Sequence, residues 1–172
     1  GNMSNNRPLK KHHIEEIKAK GIEIVKFDPM SFPWIDYAFS RDHRKIVVID
    51  GRTAYTGGIN VADYYVDGLE GIGKWRDMHA RVTGESVAEL QIFLAMWNRE
   101  TGQNIGGAAY FPPINKGTGD TDIAVVDRWP GKNPKQMRRI YANAINAAKD
   151  SIQIVNPYFV PLKRYRCRFS VY

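Results

Sequence analysis

Arg41-Asp42-His43-Arg44-Lys45-Ile46-Val47-Val48-Ile49-Asp50 runs directly into Gly51-Arg52-Thr53-Ala54-Tyr55-Thr56-Gly57-Gly58-Ile59-Asn60, and this stretch decides how the chain is read. Residues 44–49 and 53–56 are strand candidates on either side of Asp50-Gly51, a dipeptide suited to a tight hairpin turn. Side chains two apart on a strand share a face, so His43 and Lys45 point one way and Ile46 and Val48 the other. A two-residue turn pairs Ile49 with Arg52, and therefore His43 with Gly58. Sliding the turn by one residue in each strand sets His43 opposite Asn60. Both registers place Gly58 and Asn60 on the face of His43 and Lys45. An imidazole, an ammonium and a carboxamide then converge, and Gly57 and Gly58 leave room for a substrate to come close to the backbone.

Those groups suit a phosphodiester. Lys45 and Asn60 offer hydrogen bonds to non-bridging oxygens as negative charge builds on them. His43 can attack phosphorus or carry a proton, because imidazole is both nucleophile and base near neutral pH. The arrangement calls for no metal and no cofactor. The bland alternative is a basic strand face without chemistry, and the Gly-Gly-x-Asn return weighs against it.

Outward from the hairpin, helices and strands alternate. Residues 7–20 read as a helix with Pro8 in its first turn and Gly21 at its end, and residues 21–27 alternate like a strand. Residues 28–39 form a loop whose Phe32, Trp34 and Tyr37 either line a pocket or cover the sheet. Residues 61–74 read as an ordered loop and 75–82 as a strand. Ser86 to Glu89 fits a capping box, opening one helix with an apolar stripe of Val87, Leu90, Phe93, Leu94 and Trp97. Residues 101–121 are a Gly-, Pro- and Asn-rich excursion, and 123–126 a short strand. A last helix opens at Asn133-Pro134, and residues 151–155 are a final strand. The alternation says α/β.

Composition sets wider bounds. The chain has 172 residues, 43% of them hydrophobic, with four tryptophans, which is enough for a folded core. No apolar run approaches the roughly 20 residues of a membrane-spanning helix, so this stretch is expected to be soluble. There is no secretory pattern, and Gly1-Asn2-Met3 looks like a start site behind a tag scar. Cys167 is the single cysteine, which excludes an internal disulfide and suits a reducing cytoplasmic setting. The formal charge of +7 favours anionic partners such as phospholipid headgroups or nucleic acid.

His43-x-Lys45-(four residues)-Asp50 followed by Gly57-Gly58-x-Asn60 resembles the HKD motif of the phospholipase D superfamily. The fuller string from Arg41 to Tyr64 is similar to the first such motif of bacterial cardiolipin synthases. Trp75-Arg76-Asp77-x-His79 and Pro157-Tyr158-Phe159-Val160-Pro161 also sit where that family has similar segments. The resemblance implies a phospholipase D-like mixed β-sheet flanked by helices. It also implies phosphatidyl transfer in two metal-independent steps through a phosphohistidine. One histidine attacks, a second protonates the leaving alcohol, and phosphatidylglycerol or water then displaces the first. On this match His43, Lys45 and Asn60 form half of an active site. Asp50 fixes the strand end, and Asp77 is the candidate for orienting His43. Gly57, Gly58, His79 and Tyr158 border the substrate, His79 sharing a strand face with Asp77.

Enzymes of this kind carry two such motifs, and only one is present here. The expected organisation is a tag remnant and disordered start over 1–6, and a half-domain with the motif over 7–127. The start of a second half follows over 128–161, with an atypical tail over 162–172. The second histidine then comes from a missing half or from a homodimer partner. The full-length protein is expected at the cell membrane, on its cytoplasmic side, acting on anionic phospholipid. The alternatives are a dimeric phospholipase D-like phosphodiesterase or nuclease, for which the Asn156-Pro157-Tyr158-Phe159 segment argues less well, and a catalytically inactive fragment.

Overall fold

The chain turns back on itself at Asp50-Gly51 in the computed structural model, which describes residues 10–25, 27, 42–71, 73–113, 119–127 and 136–154. Three strands, β1 (Ile46–Ile49), β2 (Thr53–Gly57) and β3 (His79–Thr83), form an antiparallel sheet in the order β1-β2-β3. With its helices this is an α/β arrangement. The resemblance implies a mixed sheet; the pairings described are both antiparallel. The chain divides into two compact units, residues 1–125 and 126–172, and the sheet belongs to the first.

The hairpin turns where expected, at Asp50-Gly51, but its register is shifted relative to expectation. Asp50 (φ 53) and Gly51 (φ 63) both take the left-handed conformation, and the Arg52 N–H donates to the Ile49 carbonyl at 3.0 Å. Left-handed backbone at both central positions is what an Asp-Gly hairpin turn requires. The first ladder pair is nevertheless Ile49 with Thr53, followed by Val48 with Ala54 and Ile46 with Thr56. This register lies between the two expected ones and overturns the shared face: its alternation sets Gly58 and Asn60 on the side of Ile46 and Val48, opposite His43 and Lys45, and β2 ends at Gly57 before either is paired. Gly51 is buried: a Cβ there would come within 2.5 Å of both Pro112 Cδ and the Tyr110 carbonyl oxygen. The loop that follows the helices therefore clamps the turn.

Alternation sorts the sheet into two faces. Val48, Ala54 and Val82 lie in register on one face. There Ala54 and Val82 join Val87 and Leu90 in the core, with Ile46, Val48 and Val125 packed against them. The opposite face carries Val47 and Ile49, 54% and 49% exposed. Helix α3 (Ser86–Leu90) lies against all three strands, so burying Val87 and Leu90 closes the core side and leaves the other face open.

Other elements depart from the sequence reading in ways the packing explains. Helix α1 (Lys11–Ala19) lies within the expected helix, but residues 22–25 that follow form no strand. A one-turn helix, α2 (Tyr64–Asp67), stands in the loop after the hairpin. The single helix expected from Ser86 to Trp97 breaks into α3 and α4 (Phe93–Thr101). The break falls at Gln91, a buried polar residue whose Nε2 donates to the Tyr110 carbonyl. Leu94 is buried as expected, but bending there brings Met96 inward beside it and leaves Phe93 and Trp97 half-buried. The capping box is not made: Ser86 lies inside α3, and Glu89 instead accepts from the Val125 N–H at 3.3 Å. Residues 123–126 form no strand, although Val125 reaches the core. In the second unit α5 (Gln136–Ala147) is a helix with Ile145 buried, and residues 151–154 form no strand. No described helix is long and apolar enough to cross a membrane.

Candidate active site

Antiparallel order brings three chain segments to one end of the sheet. They are the lead-in to β1, the exit of β2 and the entry to β3. His43 and Lys45 stand on the first, Gly57, Gly58 and Asn60 on the second, and Asp77 and His79 on the third. Asp50 lies in the turn at the opposite end. At ~3.3 Å per strand residue, the length of β1 separates it from His43. It stands in the turn, apart from the residues gathered at the other end.

His43 and Lys45 form the tightest pair. The Lys45 ammonium lies 2.9 Å from His43 Nδ1 and 3.2 Å from Nε2, and donates to the His43 carbonyl at 2.9 Å. An ammonium has only donors, so it meets a ring nitrogen that presents its lone pair. His43 is exposed and Lys45 half-buried, so the ring is accessible, and its one lone pair is capped by the ammonium until Lys45 turns to another acceptor.

The residue between them shows why the pair is held. Arg44 Nε donates to Asp42 Oδ1 at 2.9 Å, and Arg44 Nη2 lies 2.7 Å from Met96 Sδ. Arg44 thus ties the segment to α4. The sequence reading passed over Arg44 and Asp42; their legible signal was a charged residue at a position whose alternation faces the core.

The two glycines do something other than expected. A Cβ on Gly57 would collide with the Met78 carbonyl and come within 2.7 Å of His79 Cα and 2.8 Å of His79 Nδ1. A Cβ on Gly58 would collide with the Asp77 carboxylate. The space is taken by Asp77 and His79 themselves, which correction replaces the reading of open room for substrate. Gly57 pairs directly with His79, and the Gly58 N–H donates to the Met78 carbonyl at 3.0 Å. Asp77 Oδ1 accepts from the Met78 N–H at 2.7 Å. Among the described residues no hydrogen bond joins Asp77 to His43, so the carboxylate stands at the glycine step and not on the imidazole.

Asn60 lies beyond the ladder, and its Nδ2 donates to the Tyr65 hydroxyl at 2.5 Å. Tyr65 belongs to an aromatic cluster, with ring centroids 4.5 Å from Tyr64 and 5.5 Å from Trp75, and Tyr64 5.3 Å from Trp75. A hydrogen bond with Tyr64 holds the Tyr65 phenol above its ordinary pKa, burial adds to this, and the Asn60 amide works against it. Tyr65 escaped the sequence reading, and Tyr64 entered it only as the end of the motif string, because a Gly- and Asp-rich stretch reads as loop. Tyr158 falls outside the described residues, as do Phe32, Trp34 and Tyr37, residues 1–9 and residues 155–172.

The chain is 36% identical over 156 residues to the cardiolipin synthase of Alkalihalophilus pseudofirmus, covering 89% of this chain and 31% of that protein. It is 38% identical to the cardiolipin synthase of Halalkalibacterium halodurans over the same shares. To cardiolipin synthase 2 of Staphylococcus epidermidis it is 38% identical over 159 residues, 90% of this chain and 32% of that protein. This chain is a homologue of the bacterial cardiolipin synthases. It spans about a third of the length of the curated relatives it matches. No family model and no solved structure matches it. The matched region of this cardiolipin synthase-like chain takes in the hairpin, the glycine step and the Trp75-to-His79 segment, because it leaves out only about a tenth of the residues.

Proposed function

We propose that this chain carries one half of a phosphatidyl-transfer site, of the cardiolipin synthase type, working through a phosphohistidine. The observation that carries the reading is the Lys45 ammonium held 2.9 Å from an accessible His43 imidazole. As substrate binds, the Lys45 ammonium turns from the ring to a non-bridging oxygen and frees the imidazole lone pair. His43 then attacks the phosphorus of phosphatidylglycerol, a nitrogen–phosphorus bond forms, and the bond to the headgroup glycerol breaks. Lys45 and Asn60 meet the charge gathering on the non-bridging oxygens. A second histidine, from a further part of a longer protein or from a partner copy, protonates the departing glycerol. The second histidine, now neutral, takes the proton from the hydroxyl of another phosphatidylglycerol, whose oxygen displaces the imidazole and yields cardiolipin; water in its place yields hydrolysis. These residues perform both steps without drawing on a metal. The overall charge of +7 suits an anionic lipid surface.

Incubation with labelled phosphatidylglycerol vesicles, and separately with DNA, tests the reading. Label trapped on His43 from the lipid alone is expected, with none in His43→Ala. Cleavage of DNA with no lipid reaction would replace the proposal with a nuclease. No reaction with either would leave a folded but inactive fragment.

A further inference from the structure

Asn60 sits where the ladder has already ended: β2 stops at Gly57, and the chain leaves the sheet through Gly58. No strand partner therefore fixes its side chain, and a carboxamide free to rotate is a poor receptor for phosphate. What fixes it is the Tyr65 hydroxyl, 2.5 Å from Nδ2. A primary amide has two N–H donors. We infer that Tyr65 is a positioning residue: by accepting one Asn60 N–H it orients the carboxamide and leaves the second N–H for a phosphate oxygen. This inference rests on the proposed role of Asn60 in binding phosphate.

The surroundings of Tyr65 are built to hold it. It lies in the single turn α2, its ring packed against those of Tyr64 and Trp75. Reciprocal bonds of 2.9 Å between Leu69 and Gly73 close the loop that joins α2 to Trp75. Trp75 in turn stands two residues before Asp77, at the entry to β3. The aromatic bracket therefore links the exit of β2 to the segment that carries Asp77 and His79.

The test uses the 172-residue chain and glycerophosphoglycerol, the deacylated headgroup, as probe, with the Asn60 side-chain amide protons followed by NMR. In the wild type, saturation with probe is expected to shift one Asn60 amide proton and leave its Tyr65-bonded partner in place. Tyr65→Phe, which keeps the ring, is expected to weaken probe binding about 2- to 10-fold, the worth of one hydrogen bond, and to let both amide protons shift together. Tyr141→Phe, an exposed tyrosine of the second unit, serves as the control and binds as wild type. Both Asn60 protons shifting together in the wild type would overturn the inference, as would Tyr65→Phe binding with unchanged affinity, and either leaves the phosphate site standing. A wild type that binds no probe would overturn the phosphate site and the inference with it.

Discussion

A lysine donating to both the ring and the carbonyl of a histidine two residues earlier is a local device: it needs only extended backbone, where alternate side chains share a side. Arg44, pointing the other way to Asp42 and Met96, keeps that backbone in place. The same economy governs Asn60, whose amide is set by a hydroxyl five residues on. Tyr65 also fixes a pH dependence. Its pKa is raised in the fold, chiefly by the bond with Tyr64, so the folded state favours the protonated phenol. That contribution is fully present below the ordinary phenol value of ~10 and is lost as pH climbs through the higher folded value. Difference absorbance between wild type and Tyr65→Phe is expected to reveal a phenol ionising later than those of the unfolded chain. Ionisation at or below the ordinary value would contradict the hydrogen-bonded arrangement.

At the scale of elements, the glycine step joins β2 to β3. Gly57 and Gly58 face different obstacles, so their substitutions are expected to differ. An alanine at 57 meets the backbone of Met78 and His79, which cannot move without parting the strands. Gly57→Ala is therefore expected to cost about 1–3 kcal/mol of stability, as overpacking does. An alanine at 58 meets the end of the Asp77 side chain, which can swing aside at the loss of its bond to the Met78 N–H. Gly58→Ala is expected to melt closer to wild type while displacing Asp77. Urea unfolding of the two variants checks the order, and equal costs would contradict it. The hairpin and its turn were legible because Asp50-Gly51 is a local signal that needs no tertiary knowledge. The register was not: one residue of shift depends on how Tyr110 to Pro112 clamp Gly51, a contact far away in sequence. The single helix expected over α3 and α4 failed for the same reason, since Gln91 bends the chain toward the Tyr110 carbonyl. Among the site residues, the identity of His43 and Lys45 and their shared side were readable from alternation. The filling of the glycine step by Asp77 and His79 was not, because strand pairing across a long loop leaves no local trace.

On the scale of the whole molecule, the sheet has one face closed by α3 and one face open, and the candidate site lies at the end where three segments gather. The chain spans about a third of its cardiolipin synthase relatives, and the first step of the proposed reaction asks for a second histidine only where the leaving alcohol needs a proton. A diester that leaves as 4-nitrophenolate needs none. The most direct measurement is therefore peptide mapping by mass spectrometry of this chain after exposure to bis(4-nitrophenyl) phosphate. The account predicts release of one nitrophenolate per chain and a 4-nitrophenyl phosphoryl group on His43, both absent from His43→Ala. An adduct on another residue, or release that persists in His43→Ala, would contradict it.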